Sequence, residues 1–157
     1  MILMILMLIT LTIGVATCDY DLGFAGSYCG SKSYKLDLSS KDLIYLLKRI
    51  KRIKPEMEVW SKDQEGKLHN LDEMSGDYYY VQHFNIPFEG DTIQAITVVD
   101  VRDNYPATLM FARIKLPKGL AKSISELSRK ERKAAIASFE EHILERVIHP
   151  FSFFLKE

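Results

Sequence analysis

Two cysteines, Cys18 and Cys29, are all that the sequence has, and neither stands in the paired spacing of a zinc site or a thioredoxin-like redox motif. A metal-stapled fold and a multi-disulfide scaffold are thereby excluded. Net charge is missing too. The 21 basic residues balance 21 acidic ones, so no global field favours nucleic acid or an anionic membrane, and any charge argument must be local. Internal repeats, linkers and low-complexity stretches are absent, which with 157 residues means a single domain. No Asn-x-Ser/Thr sequon occurs, since Asn70, Asn85 and Asn104 are followed by Leu71-Asp72, Ile86-Pro87 and Tyr105-Pro106. That absence leans towards a bacterial envelope.

Charge is scarcest at the start. The opening "MILMILMLITLTIGVATC" runs without a charged side chain and ends in the small residues Gly14, Val15, Ala16 and Thr17. Crossing the hydrocarbon layer takes about 20 apolar residues, and Thr10, Thr12 and Gly14 interrupt this run, so it suits a signal peptide better than a span. The missing positive n-region counts against export, whereas Asp19 and Asp21 after the boundary fit it. The expectation is a leader over 1–17, a domain over 18–157 and an extracytoplasmic location, in the periplasm or tethered to a membrane. A retained anchor and a buried N-terminal element are the alternatives.

Cys18 admits two chemistries. Val15-Ala16-Thr17-Cys18 resembles a bacterial lipobox, with Thr17 departing from the Gly or Ala of that motif. A lipid on Cys18 or a retained leader is then the only route to a membrane. The rival is a disulfide between Cys18 and Cys29, closing the Gly- and Ser-bearing loop "CDYDLGFAGSYC" and contributing about 3 kcal/mol at most.

The body predicts an α+β fold: an antiparallel meander sheet of four or five strands flanked by an N-terminal and a C-terminal helix. Leu43, Ile44, Leu46, Leu47, Ile50 and Ile53 recur at helical spacing, Ser39 or Ser40 can cap them, and Pro55 ends the run. Strand-like runs follow at 57–61, 67–71, 78–88, 92–102 and 108–116, with turn material too short for crossover helices between them. "TIQAITVVDV" is apolar on both alternating faces and reads as central. Ser128 and Glu131 have capping-box spacing ahead of the stripe Ile136, Phe139, Ile143 and Val147, which stops at Pro150.

Catalytic patterns are sparse. His142, Glu145 and His149 share one side of the second helix, but that side lies off the apolar stripe and should face water, so no metal site is expected and no cofactor is implied. A tight turn at Glu89-Gly90 pairs residues whose numbers sum to about 179 or 180. His83 then falls opposite Ile96 or Thr97, away from Asp100, and the two cannot form an acid–base dyad. Ser27, Ser31 and Ser33 lack a GxSxG elbow.

Binding features are better represented. The first helix carries Lys48, Arg49, Lys51, Arg52 and Lys54 against a single Asp42, which is either a solvated face or a contact for an acidic partner. In "DYYYVQHF", Tyr79 points away from Tyr78 and Tyr80 and is the tyrosine expected outside as an interface anchor. The tail "HPFSFFLKE" either folds back on the core or docks elsewhere. Together these features predict a small exported binding protein, most concretely an immunity or inhibitor-type protein that neutralises another protein, with Lys48, Arg49, Lys51, Arg52 and Tyr79 as contacts and no nucleic acid as partner. A small periplasmic hydrolase using His83 or a site without a known motif, and a lipid-tethered structural component of the envelope, are the alternatives.

Overall fold

The computed structural model describes residues 30–75, 77–102 and 104–149, without the side chains of 73–75. The leader, Cys18, Cys29 and the aromatic tail lie outside the described residues.

Among the described residues, eight strands and three α-helical segments follow one another: β1 (Lys32–Leu36), α1 (Ser40–Ile53), β2 (Trp60–Lys62), β3 (Leu68–Asn70), β4 (Glu73–Ser75), β5 (Tyr79–Phe88), β6 (Asp91–Asp100), β7 (Ala107–Lys115), β8 (Ala121–Ser123), α2 (Arg129–Phe139) and α3 (Glu145–Ile148). The main sheet is antiparallel, in the order β1-β7-β6-β5-β4, with β8 also on β7; β2 and β3 pair separately. The α+β meander is therefore present from β4 to β7, and β1 joins it out of sequence. β6 is central, as its two apolar faces imply.

Local chemistry explains most boundaries. Ser39 caps α1, its side chain accepting the Asp42 N–H at 3.1 Å. Ser128 and Glu131 close a reciprocal capping box on α2, at 3.3 Å and 3.0 Å. Glu89 and Gly90 both have positive φ, 49° and 86°, so β5 and β6 are joined by a two-residue turn whose twist matches the strands. That turn fixes the register, and His83 pairs with Ile96.

Several elements differ from the sequence reading. Residues 57–61 are not one strand: Pro55–Met57 forms a 3-10 turn, because Pro55 presets the first helical position, and β2 begins at Trp60. β1, β4 and β8 have only three to five residues each and owe their place to distant or edge pairing. α2 is separated from α3 by a π turn, Glu140–Leu144, in which the Glu145 N–H bonds the Glu140 carbonyl. The added residue lets Ile143 and Leu144 both reach the core.

The main core lies between the helices and one face of the sheet. Leu43, Leu47 and Ile50 of α1 meet Phe84, Ile86, Ile93, Ala95, Val99, Leu109 and Phe111, while Phe139, Ile143 and Val147 close it from the other helices. Phe111 and Phe139 stack at 4.5 Å, and Tyr34 of β1 lies 5.7 Å from Phe139. The Tyr34 hydroxyl donates to Glu140 at 3.0 Å; burial first, then that bond and the carboxylate charge, push its pKa far above the ordinary tyrosine value. No described helix is long and apolar enough to cross a membrane.

Candidate functional site

With Leu43, Leu47 and Ile50 turned into the core, the 3.6-residue period fixes which side chains of α1 face out. Lys41, Tyr45, Lys48 and Arg52 are spaced i, i+4, i+7 and i+11 and form a single line along the outer surface, about 16 Å long at 1.5 Å per residue. All four are exposed, and Tyr45 is exposed at 56%, high for a large ring. No acidic residue interrupts the line. Asp42 stands at the helix start, where it accepts the Ser39 hydroxyl at 2.6 Å. Arg49 flanks the line and is half-buried.

Lys48 is held at one border of this stripe. Its ammonium sits 5.0 Å from the ring centre of Tyr80, a half-buried residue packed at the edge of the core. The contact orders one cation of the stripe against the sheet and leaves the residue exposed.

Lys51 departs from the sequence reading. It is buried, because position 51 follows Leu47 by four and Ile50 by one and so turns towards the sheet. Its Nζ meets both oxygens of Asp72 at 2.5 Å and 2.6 Å and lies 4.4 Å from the Phe84 ring centre. Side-chain exposures of 4% and 10% make this a buried ion pair. Desolvation lowers the Lys51 pKa against the opposing pull of Asp72. Asp72 also accepts the His83 backbone N–H at 3.0 Å, so the pair ties α1 to β5 where β4 has ended. Lys51 is structural, and no partner can reach it.

Tyr79 also falls away from the basic face. It pairs with Asp100 on the sheet surface opposite α1 and is half-buried. The Arg102 guanidinium lies 5.3 Å from its ring centre and 6.0 Å from that of Tyr78, while its Nη2 binds Asp100 at 2.8 Å. Thus the sheet separates Tyr79 from Lys48, Arg49 and Arg52, and the aromatic residues that accompany the cations are Tyr45 and Tyr80. Tyr45 is legible in principle by its helical phase between Lys41 and Arg52; alternation sets Tyr80 apart from Tyr79 but does not say which of them shares a side with α1.

The groups considered for catalysis remain dispersed. His83 and Asp100 are four register positions apart on neighbouring strands, about 13 Å at 3.3 Å per residue. His142 is half-buried, Glu145 and His149 are exposed, and no set of three metal-ligating side chains converges among the described residues. An open hollow of about 520 Å³ between the β5–β6 turn and α2 is lined by Phe88, Glu89, Asp91, Ala137, Glu141 and His142. Ser138 also borders it and donates its hydroxyl to the Pro87 carbonyl.

The β2–β3 hairpin projects from the domain with every residue exposed. It is pinned by Asp63, whose carboxylate meets His69 Nε2 at 2.6 Å and takes backbone N–H bonds from Glu65 and Lys67. The His69 ring, then the Lys67 N–H, hold the Asp63 carboxyl below the usual aspartate value.

No protein-family model, curated protein or solved structure matches the chain.

Proposed function

We propose that this domain is an exported binding protein that engages an acidic surface of another protein through the outer stripe of α1. Lys41, Tyr45, Lys48 and Arg52 are the contacts, with Arg49 at the margin. The observation that carries the reading is Tyr45, an exposed ring set in line with three cations and no carboxylate between them. Tyrosine and arginine are the side chains that most often supply binding energy at interfaces, and complementary charge speeds encounter and sets orientation. A rigid helix pinned by a core stripe and a buried ion pair presents them without ordering cost. The charge-free leader supports work outside the cytoplasm, and the small single domain supports an immunity or inhibitor-type role, neutralising another protein in the bacterial envelope. In this reading the protein needs no cofactor.

The test is affinity capture from the envelope fraction of the native host with three baits: the wild type, Lys48→Glu/Arg52→Glu and His83→Ala. A protein retained by the wild type and by His83→Ala, and lost with the charge-reversed bait, supports the proposal. Equal retention by all three refutes the α1 stripe as the contact, and a small-molecule turnover that disappears only with His83→Ala replaces binding with hydrolysis.

A further inference from the structure

The sheet's second face is closed, although no described helix lies on it. Val98, Met110, Ala112 and Val81 form a separate apolar cluster, exposed at 0, 1, 3 and 8%, with Tyr79 and Ile96 packed against it. Every member belongs to β5, β6 or β7. The helices bury their apolar residues in the other cluster. Side chains stand nearly perpendicular to a sheet, and a face with nothing over it is left open to water. Met110 at 1% therefore has a cover, and the described hydrophobic residues packed on this cluster, Tyr79 and Ile96, stand on the sheet itself and not above it.

We infer that the cover is the chain's own segment 19–28, with Tyr20, Leu22 and Phe24 laid across Met110 and Val98. The chain enters the domain at this border: β1 is the strand beside β7, and Ser33 pairs with Met110. Just upstream, Gly30 has a φ of +83° and is pressed against Ser125, where a Cβ would come within 2.3 Å of the hydroxyl. Only glycine fits that turn. Tyr20, Leu22 and Phe24 alternate with Asp19, Asp21 and Gly23, the period of an extended segment with one apolar and one polar side. The six steps from Phe24 to Gly30 reach up to about 20 Å, and β5 lies about 10 Å from β7, so the whole cluster is within range. The other apolar stretch, Phe151 to Leu155, follows α3 on the opposite face and would first have to round a sheet edge. Residues 19–28 lie beyond the expected cleavage points, so the cover stays with the mature domain, and a Cys18–Cys29 bond would close it into a loop. It leaves the α1 stripe, and not this face, for a partner.

Met110 supplies its own probe. Full-length protein grown with the diazirine analogue of methionine, as a mixture of light and nitrogen-15-labelled chains, is irradiated and the crosslinks from position 110 are mapped by mass spectrometry. The expected product joins position 110 to a peptide from residues 19–28 of the same chain. A link to residues 151–157, a mixed-isotope link to a second copy, or no link within the protein overturns the inference. A second readout uses hydrogen peroxide, which converts an accessible methionine to its sulfoxide. Leu22→Ser/Phe24→Ser should raise the oxidation rate of Met110 about tenfold or more while far-ultraviolet circular dichroism is retained; an unchanged rate also overturns it.

Discussion

Helix α1 carries basic residues on two sides, and the two sides do opposite things. On the inner flank Lys51 is sealed against Phe84 and paired with Asp72; on the outer surface Lys41, Lys48 and Arg52 line up around Tyr45. Four residues separate Leu47 from Lys51, and that same step separates Lys41 from Tyr45, so helical phase alone sorts one run of like charges into a structural cation and a stripe of contacts. A charge run on a helix is not one feature. The inner side governs whether the domain folds, and the outer side governs what it meets.

The sharpest way to break this contrast is Lys51→Met. The methionine keeps apolar bulk over Phe84 but leaves the Asp72 carboxylate buried with only the His83 N–H, and breaking a buried pair costs about 3–5 kcal/mol. Urea denaturation should show a loss of that size, and Lys51→Met/Asp72→Asn should recover much of it, because the amide oxygen still accepts from His83 without a charge. The pH dependence follows from the lowered Lys51 pKa. Between that lowered value and the ordinary lysine value the unfolded chain holds more protons than the folded one, so stability rises with pH through this window. In Lys51→Met that rise should be absent.

On the outer side the effects move from stability to association. Tyr45→Ala should change stability by no more than about 0.5 kcal/mol, yet weaken the captured partner's binding by about 2 kcal/mol, near thirtyfold, measured by calorimetry. Ser39→Ala removes the cap that serves both sides at once. It should cost about 1 kcal/mol in urea denaturation and leave affinity unchanged once folding is complete. The smallest effect belongs to the β2–β3 hairpin, which touches neither side. Its Asp63 has a depressed pKa, so what it contributes is present above the ordinary aspartate pKa and lost as pH falls through the lowered one. Asp63→Asn should alter Trp60 fluorescence at neutral pH with the global unfolding midpoint unchanged.

Much of this architecture could be read from local pattern. The Ser39 and Ser128 caps, the Leu43, Leu47 and Ile50 part of the α1 stripe, and the pairing of His83 with Ile96, one of its two expected partners, follow from short-range chemistry at helix starts, a helical period and a two-residue turn, although Ile53 of that stripe is exposed. β1 could not be read that way. "KSYKL" alternates weakly, and its place beside β7 depends on a pairing that reaches from Lys32 to Phe111, about half the chain. The candidate site was half legible. Lys48 and Arg52 are exposed on α1 and Arg49 is half-buried, but residue type marks Lys51 as a contact although its phase buries it. Alternation says that two sheet faces differ, not which one the helices cover, so the sequence pattern does not show that Tyr79 lies across the sheet from α1. Residue type alone puts Tyr45 with the apolar stripe, and only its angle to Leu43 and Leu47 around the helix turns it outward.

The claim that the outer stripe of α1 recognises an acidic protein surface is tested most directly by the association rate of the captured partner as a function of salt, for the wild type and for Lys48→Glu/Arg52→Glu. The wild-type rate should fall steeply as salt rises, since exposed charges beyond about 10 Å are screened at 0.1 M. The variant, folded and equally stable, should associate at least tenfold more slowly at low salt and show a flattened salt dependence. Equal rates and equal salt slopes for the two proteins would contradict the account.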